Sequence, residues 1–231
     1  MPDTPRISTV IPVYDRSMRL LGEAIDSVFA QTHPVDEIIV VDDGSAEPVA
    51  PWLGDRYGDR VIAVRQDNAG IGPARNLGLE HATGDLITFL DSDDLWLPDK
   101  TEVQLQTLEA DPSLEAVYGH AEQFYDDETD DEYRARHPIP QTVIESWSTV
   151  GVLMRRSAID RIGPFAPQSQ SVDIDWQARA RSVEVSSVML DRVVYRRRLH
   201  NSNMGLTRSA EGNPALLKAL REHLHRQRDQ A

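Results

Sequence analysis

Leu86-Ile87-Thr88-Phe89-Leu90-Asp91-Ser92-Asp93-Asp94 is the stretch on which the fold turns. Its first five residues read as a short, buried strand, and the next four carry three carboxylates. A buried strand cannot hold unpaired charge, so the acids belong at its carboxyl end, facing a cleft. Two carboxylates one residue apart at such a place suit a hard divalent cation that also grips a diphosphate.

Working outward, the same pattern repeats. Ile7 to Val13 reads as a strand, and Leu20, Leu21, Ala24, Ile25, Val28 and Phe29 follow helical spacing. Glu37 to Val41 is a second buried strand, closed by the turn chemistry of Asp42-Asp43-Gly44-Ser45. Val61 to Val64 is a third, and Pro73 opens a helix through Ala82. Another helix starts at Pro98 and stops before Pro112. Strands alternating with helices, without hairpin signals, predict an α/β domain with a mostly parallel central sheet flanked by helices. Ligands of such sheets bind outside the carboxyl ends of the strands. Tyr14-Asp15, Asp42-Asp43 and Asp91-Ser92-Asp93 all fall there.

The second half is less regular. Ala116-Val117-Tyr118 reads as a strand, the acidic stretch Asp126 to Glu132 as a solvated loop, and Val152 to Arg156 as a strand. Ser157 is the expected cap of a helix ending before Gly163, and Ser187 to Arg197 is expected to be extended. One domain is expected over residues 1–205, with a nucleotide-binding half at about 1–112 and an acceptor half at about 113–205. Residues 206–231 are expected to form an amphipathic helix, with Leu216, Leu217, Leu220 and Leu224 on one stripe.

Composition narrows the function classes. The chain has 231 residues, 40% of them hydrophobic, with no apolar run long enough to span a bilayer. A formal net charge of −14 argues against nucleic acid as a general partner. Zero cysteines excludes disulfides, thiolate metal sites and cysteine nucleophiles. The N-terminus shows no signal-peptide core, so a cytoplasmic location is expected. Arg196-Arg197-Arg198 reads as surface charge, with contact to phosphate or an anionic surface as the sharper alternative. The terminal helix could pack on the domain, form a homodimer, or touch the inner face of a membrane. Intramolecular packing is the simplest of these.

The ordered string of motifs resembles the family 2 glycosyltransferases of the GT-A fold over roughly Ile7 to Met204. It comprises Val10-Ile11-Pro12-Val13-Tyr14, Ser27 to Thr32, Glu37 to Ser45, Asn68-Ala69-Gly70, Ala74-Arg75-Asn76-Leu77-Gly78 and Phe89 to Asp94. The resemblance implies an inverting transferase that moves sugar from a nucleotide-sugar, a UDP-sugar first, to an acceptor nucleophile. Asp91-Ser92-Asp93 corresponds to the family's Asp-x-Asp. Asp93 would then ligate Mn²⁺ or Mg²⁺, and Asp91 would contact ribose or metal-bound water. The implied nucleotide-binding set is Pro12, Val13, Tyr14, Asp15, Asp43, Arg75, Asp91 and Ser92. Within it Asp43 would meet the uracil ring N–H, Tyr14 would stack near the base, and Arg75 would hold base or phosphate.

In the second half, the resemblance points to Asp173-Ile174-Asp175 for the general base. Asp173 is the first choice and Asp175 the second, although Val172 stands where family members carry Glu. His200 reads either as a second metal ligand or as an ordinary histidine. Trp147, Ser148 and Thr149 fall where the family builds its acceptor pocket, and Ser202 and Asn203 where a loop would cover the diphosphate. The acceptor could be a saccharide, a lipid-linked glycan, a peptide or a small molecule.

Three other readings are weighed. Gly70-Ile71-Gly72-Pro73-Ala74-Arg75 imitates a dinucleotide loop but has Arg75 where close packing needs glycine, which argues against a nicotinamide or flavin site. A phosphohydrolase with an Asp nucleophile would need a lysine beside the phosphoryl group, and Lys100 and Lys218 are the only lysines. A non-catalytic nucleotide-sugar-binding module stays open because of Val172.

Overall fold

The computed structural model describes residues 5–167 and 172–201. Its elements in order are β1 (Ile7–Val13), α1 (Met18–Phe29), β2 (Glu37–Asp42), α2 (Ala50–Tyr57), β3 (Ile62–Arg65), α3 (Ile71–His81), β4 (Leu86–Phe89) and β5 (Leu95–Trp96). Then come α4 (Lys100–Ala110), β6 (Ala116–Tyr125), α5 (Asp131–Arg136), β7 (Val143–Ile144), β8 (Leu153–Arg155), α6 (Arg156–Ile162), α7 (Val172–Ser182) and β9 (Ser187–Leu199). The strands form one sheet in the order β3-β2-β1-β4-β8-β6-β9-β5, with β7 paired to β6.

β1 is buried along its whole length, as a strand covered on both faces must be. Its alternate side chains feed opposite layers. Val10 packs with residues of α3, α6 and α7. Ile11 packs with residues of α1 and α2. α3 lies tight on β1 because Gly78 faces Val10: a Cβ there would come within 2.3 Å of Val10 Cγ1. The glycine that permits close packing is thus present, three residues after Arg75.

Parallel pairing runs through β3-β2-β1-β4 and again between β6 and β9. β8 runs antiparallel to both β4 and β6, and β5 and β7 also pair antiparallel, so the sheet is mixed beyond β4. Two successive reversals, β4 to β8 and β8 to β6, restore direction. The carboxyl ends of β6 and β9 therefore open on the same edge as those of β1, β2 and β4, and the amino end of β8 opens there too. This is how the second half reaches the site.

Several local expectations are corrected. α2 was hidden behind turn chemistry in the sequence. The acidic stretch is not all loop: Asp130 caps α5, accepting from Tyr133 N at 2.6 Å. Ser157 lies inside α6, whose N-cap is Arg155, because β8 runs straight into that helix. Asp173 and Asp175 sit in the first turn of α7. Residues 206–231, the helix expected there, and Ser202 and Asn203 lie outside the described residues. Among the described residues no helix is long and apolar enough to cross a membrane.

Candidate active site

The loops after β1 and β2 are tied together at the strand tips. Asp15 N donates to Ser45 Oγ at 3.0 Å, and Ala46 N donates to Asp15 Oδ1 at 2.7 Å. Asp42 is buried and serves the turn itself, accepting from Ser45 N (2.9 Å), Val49 N (3.3 Å) and the Arg65 guanidinium. Burial alone would raise its pKa, but these hydrogen bonds outweigh it and hold the carboxyl below its ordinary value.

Asp43 is buried as well. Its Oδ1 accepts from Gln66 Nε2 (2.6 Å) and Ala69 N (2.9 Å), and its Oδ2 from Gly70 N (2.8 Å). The glycine-rich loop therefore wraps a carboxylate of its own chain. Gly44 makes the turn, with φ +80 and no room for a Cβ, which would stand 2.6 Å from Asn68 N. Pro12 and Val13 are buried in β1, and Val13 O accepts from Asp43 N at 2.8 Å. Tyr14, one residue beyond, is exposed.

After β4 the chain turns at Asp91 to Asp94, closed by Asp94 N donating to Asp91 O at 3.1 Å. Ser92, Asp93 and Asp94 are buried. Asp93 Oδ2 lies 3.0 Å from His200 Nε2 and 3.1 Å from Arg16 Nη2. Burial would push Asp93 up, but the His200 hydrogen bond and the Arg16 charge bring its pKa below the usual value. Asp91 moves the other way, raised by burial and by the charges of Asp173 and Asp93 against the pull of Arg75. Neighbouring carboxylates pushed apart in this way are a mark of acid-base sites.

Asp173, from the first turn of α7, joins this group. Its Oδ1 accepts from Arg75 Nη1 and Thr149 Oγ1, both at 2.8 Å. Arg75 Nη2 reaches Asp91 Oδ1 at 3.0 Å. Expected as a base or phosphate contact, Arg75 is instead fully buried, with both Nη atoms on carboxylates. Packing fixes α7. Trp176, one turn along from Asp173, is buried and stacks on Phe165 at 4.9 Å between ring centroids. Phe165 is in turn clasped to α3, where Asn76 donates to its carbonyl (2.9 Å) and accepts from its N–H (2.8 Å). Asp175 faces elsewhere and pairs with Arg179 at 3.1 Å. Of the two acids, only Asp173 enters the site.

The expected acceptor residues divide. Thr149 is buried and holds Asp173; Ser148 hydrogen-bonds Tyr195 Oη at 3.1 Å. Trp147 is part-exposed, with its ring 5.0 Å from Tyr118.

Sequence reading missed Arg16, Arg198 and Asp126. Arg198, taken as surface charge, is buried. Its Nε donates to Asp93 O and its N to Asp94 Oδ1, both at 2.8 Å, while its Nη atoms pair with Asp126 and Glu23. Asp126 also accepts from Arg19 at 2.8 Å. Burial raises its pKa, but the hydrogen bonds from Arg19 and Arg198 outweigh that and lower it to about 2. No local pattern announces these residues, because most of their partners lie on helices and loops remote in sequence.

The implied divalent cation fits the donors present. Asp93 Oδ2 and His200 Nε2, which hydrogen-bond at 3.0 Å, are a carboxylate oxygen and an imidazole nitrogen, both donor types that Mn²⁺ accepts. Among the described residues no group of three or more His, Cys, Asp or Glu could hold a metal. Two protein donors suit an ion whose shell is completed by phosphate and water.

This sheet, with carboxylates along one edge, has the GT-A architecture of known glycosyltransferases. TarS of S. aureus, solved with UDP-GlcNAc, superposes with a TM-score of 0.69 at 17% identity, covering 87% of this chain and 61% of that one. The chain belongs to glycosyl transferase family 2, whose model matches residues 8–174. Similar relatives include an uncharacterized glycosyltransferase of Nostoc sp., 30% identical over 70% of this chain and 54% of its own length. The succinoglycan biosynthesis protein ExoW of Rhizobium meliloti is 41% identical over 41% of this chain and 31% of its own length. An uncharacterized glycosyltransferase of Rickettsia felis is 43% identical over 45% of this chain and 17% of its own. The chain thus spans about half or less of the length of these relatives.

Proposed function

We propose that this domain transfers a sugar, with inversion, from a UDP-sugar to an acceptor nucleophile, assisted by Mn²⁺ or Mg²⁺. One observation carries the reading: carboxylates from the tip of β4 and the first turn of α7 meet at a single guanidinium, which supports taking Asp-x-Asp and Asp173 as parts of one site. TarS, crystallised with UDP-GlcNAc and with UDP, supports the choice of donor.

Asp173 takes the acceptor proton on Oδ2, its Oδ1 being held by Arg75 and Thr149. The acceptor oxygen or nitrogen then bonds to the anomeric carbon as that carbon's bond to the UDP oxygen breaks, and UDP leaves with the electron pair. Asp93 and His200 would hold the metal, which would supply Lewis-acid stabilisation of the departing diphosphate. Arg16, beside Asp93, adds positive charge at the same place. Tyr14 supplies an exposed ring for the base. Asp43 uses three of about four acceptor positions on its own loop, leaving one on Oδ2 for a ring N–H. Trp147 offers a part-exposed ring to the acceptor.

Among the described residues the phosphohydrolase alternative has only Lys100 to draw on. Lys100 Nζ is buried against Thr88 Oγ1 (2.9 Å), Gln104 Oε1 (2.9 Å) and Val152 O (3.2 Å), and burial pushes its pKa well below 10.5. The test is turnover of a panel of UDP-, GDP- and dTDP-sugars with Mn²⁺. UDP-sugar turnover is expected, lost with chelator or in Asp93→Ala. Undiminished turnover in Asp93→Ala would remove the metal role, and UDP binding with no turnover of any donor would make the domain a binding module.

A further inference from the structure

We infer that Arg75 is the positioning residue that joins the donor side of the site to the acceptor side. The inference rests on the glycosyl-transfer reading and adds a part to it. Arg75 is fully buried in α3, and its two Nη atoms reach Asp91 Oδ1 and Asp173 Oδ1 at 3.0 and 2.8 Å. The rings of Phe89 and Phe165 stand 5.9 and 5.5 Å from its guanidinium carbon and leave that planar group little freedom. Its Nε has no partner among the described residues. An unmet buried donor is a cost, and the two ion pairs offset it only while both carboxylates stay in place.

A planar fork cannot move one carboxylate without disturbing the other. Asp91 follows β4 and Asp173 sits on α7, so the fork sets the separation of the two walls. It also fixes which oxygen of Asp173 is used. With Oδ1 taken by Arg75 and Thr149, Oδ2 is the oxygen presented to an acceptor. A lysine at this position has one nitrogen and cannot span both acids in the same way.

Two measurements test this. The first needs no substrate: urea unfolding of wild type, Asp91→Asn, Asp173→Asn and the double variant. The double is expected to lose more stability than the two singles together, since each single leaves Arg75 one partner, and the excess should vanish in an Arg75→Met background. Additive losses overturn the bridge. The second is kinetic, with UDP-GlcNAc and Mn²⁺ for turnover and UDP for binding. Arg75→Lys should lower kcat ~100-fold while the Kd for UDP moves less than about threefold, as expected for a displaced base. Arg75→Ala should regain part of its lost rate when guanidinium is supplied in solution at a concentration that does not unfold the protein. An unchanged kcat in Arg75→Lys, or loss of UDP binding equal to loss of rate, overturns the positioning role. Wild-type protein that turns over no nucleotide sugar ends the transfer reading and the positioning role with it, and the unfolding cycle still decides the bridge.

Discussion

The two halves of this molecule reach the same edge of one sheet by different routes. In residues 5–112 Tyr14 and the site carboxylates follow directly on the strands that carry them, Tyr14 after β1, Asp43 after β2, Asp91 and Asp93 after β4, and only Arg75 comes from a helix. Parallel pairing makes all these tips point one way. In the second half the contributors are a residue before an antiparallel strand (Thr149), one in a helix turn (Asp173), one near the end of a strand (Arg198) and one just beyond it (His200). Long-range pairing alone assembles them. The first half ties Asp42 and Asp43 into its own turns and loops, whereas Asp173 and Asp126 of the second half are held by arginines of the first, Arg75 and Arg19.

That contrast can be broken experimentally. The largest effect is expected at the acid which crosses from the second half. Asp173→Asn should reduce turnover of a UDP-sugar about 10³-fold, within the usual range for a general base. Asp175→Asn should stay within about threefold, because that carboxylate pairs with Arg179 near solvent. Equal losses in steady-state assays would put the base outside the Arg75 group.

Next in size is the first half's packing. Gly78→Leu would drive a side chain into Val10 and separate α3 from β1. Overpacking of this kind costs about 1–3 kcal/mol or more, visible as a lower urea midpoint. A midpoint equal to wild type would mean that α3 can shift freely, contrary to the tight contact seen.

Thr149→Val probes the second half more gently. It removes one of two donors to Asp173 Oδ1 and nearly keeps the side chain's shape. About a tenfold fall in kcat is expected, in line with ~1.4 kcal/mol for one hydrogen bond to a charged group. No change in kcat would leave Arg75 as the sole holder of the base.

The smallest effect sharpens the comparison through pH. Asp126 has a folded pKa of about 2 against an ordinary 3.8, so its pairs with Arg19 and Arg198 stabilise the fold fully above about pH 4. That contribution fades as pH falls toward 2. Wild type should therefore melt higher than Asp126→Asn at pH 6, with the gap closing between about pH 4 and pH 2. A constant gap would assign the effect to packing.

Legibility in the sequence followed these routes. β1, β2 and β4 could be read from short continuous apolar runs, α1 from its strong apolar periodicity and α4 from the prolines that bracket it. Arg75 was read as a ligand contact because the resemblance to family 2 glycosyltransferases implied one. It could not show that two acids, 16 and 98 residues away, would close over it. Arg198 looked like part of a surface run for a similar reason. On β9 its side chain turns inward, and burial of that charge is tolerable only because Asp126 and Glu23 are brought to it.

Composition and order of motifs by themselves determined an α/β domain with carboxylates at its strand ends and a place in a sugar-transferring family. Those features are local, written in residue types and in the spacing of apolar positions. The tertiary structure decided which of two neighbouring acids faces the cleft, that an arginine binds acids of its own chain, and that His200 comes within 3.0 Å of Asp93. Such choices depend on strand direction and helix docking, which arise from the whole sheet and not from any one segment.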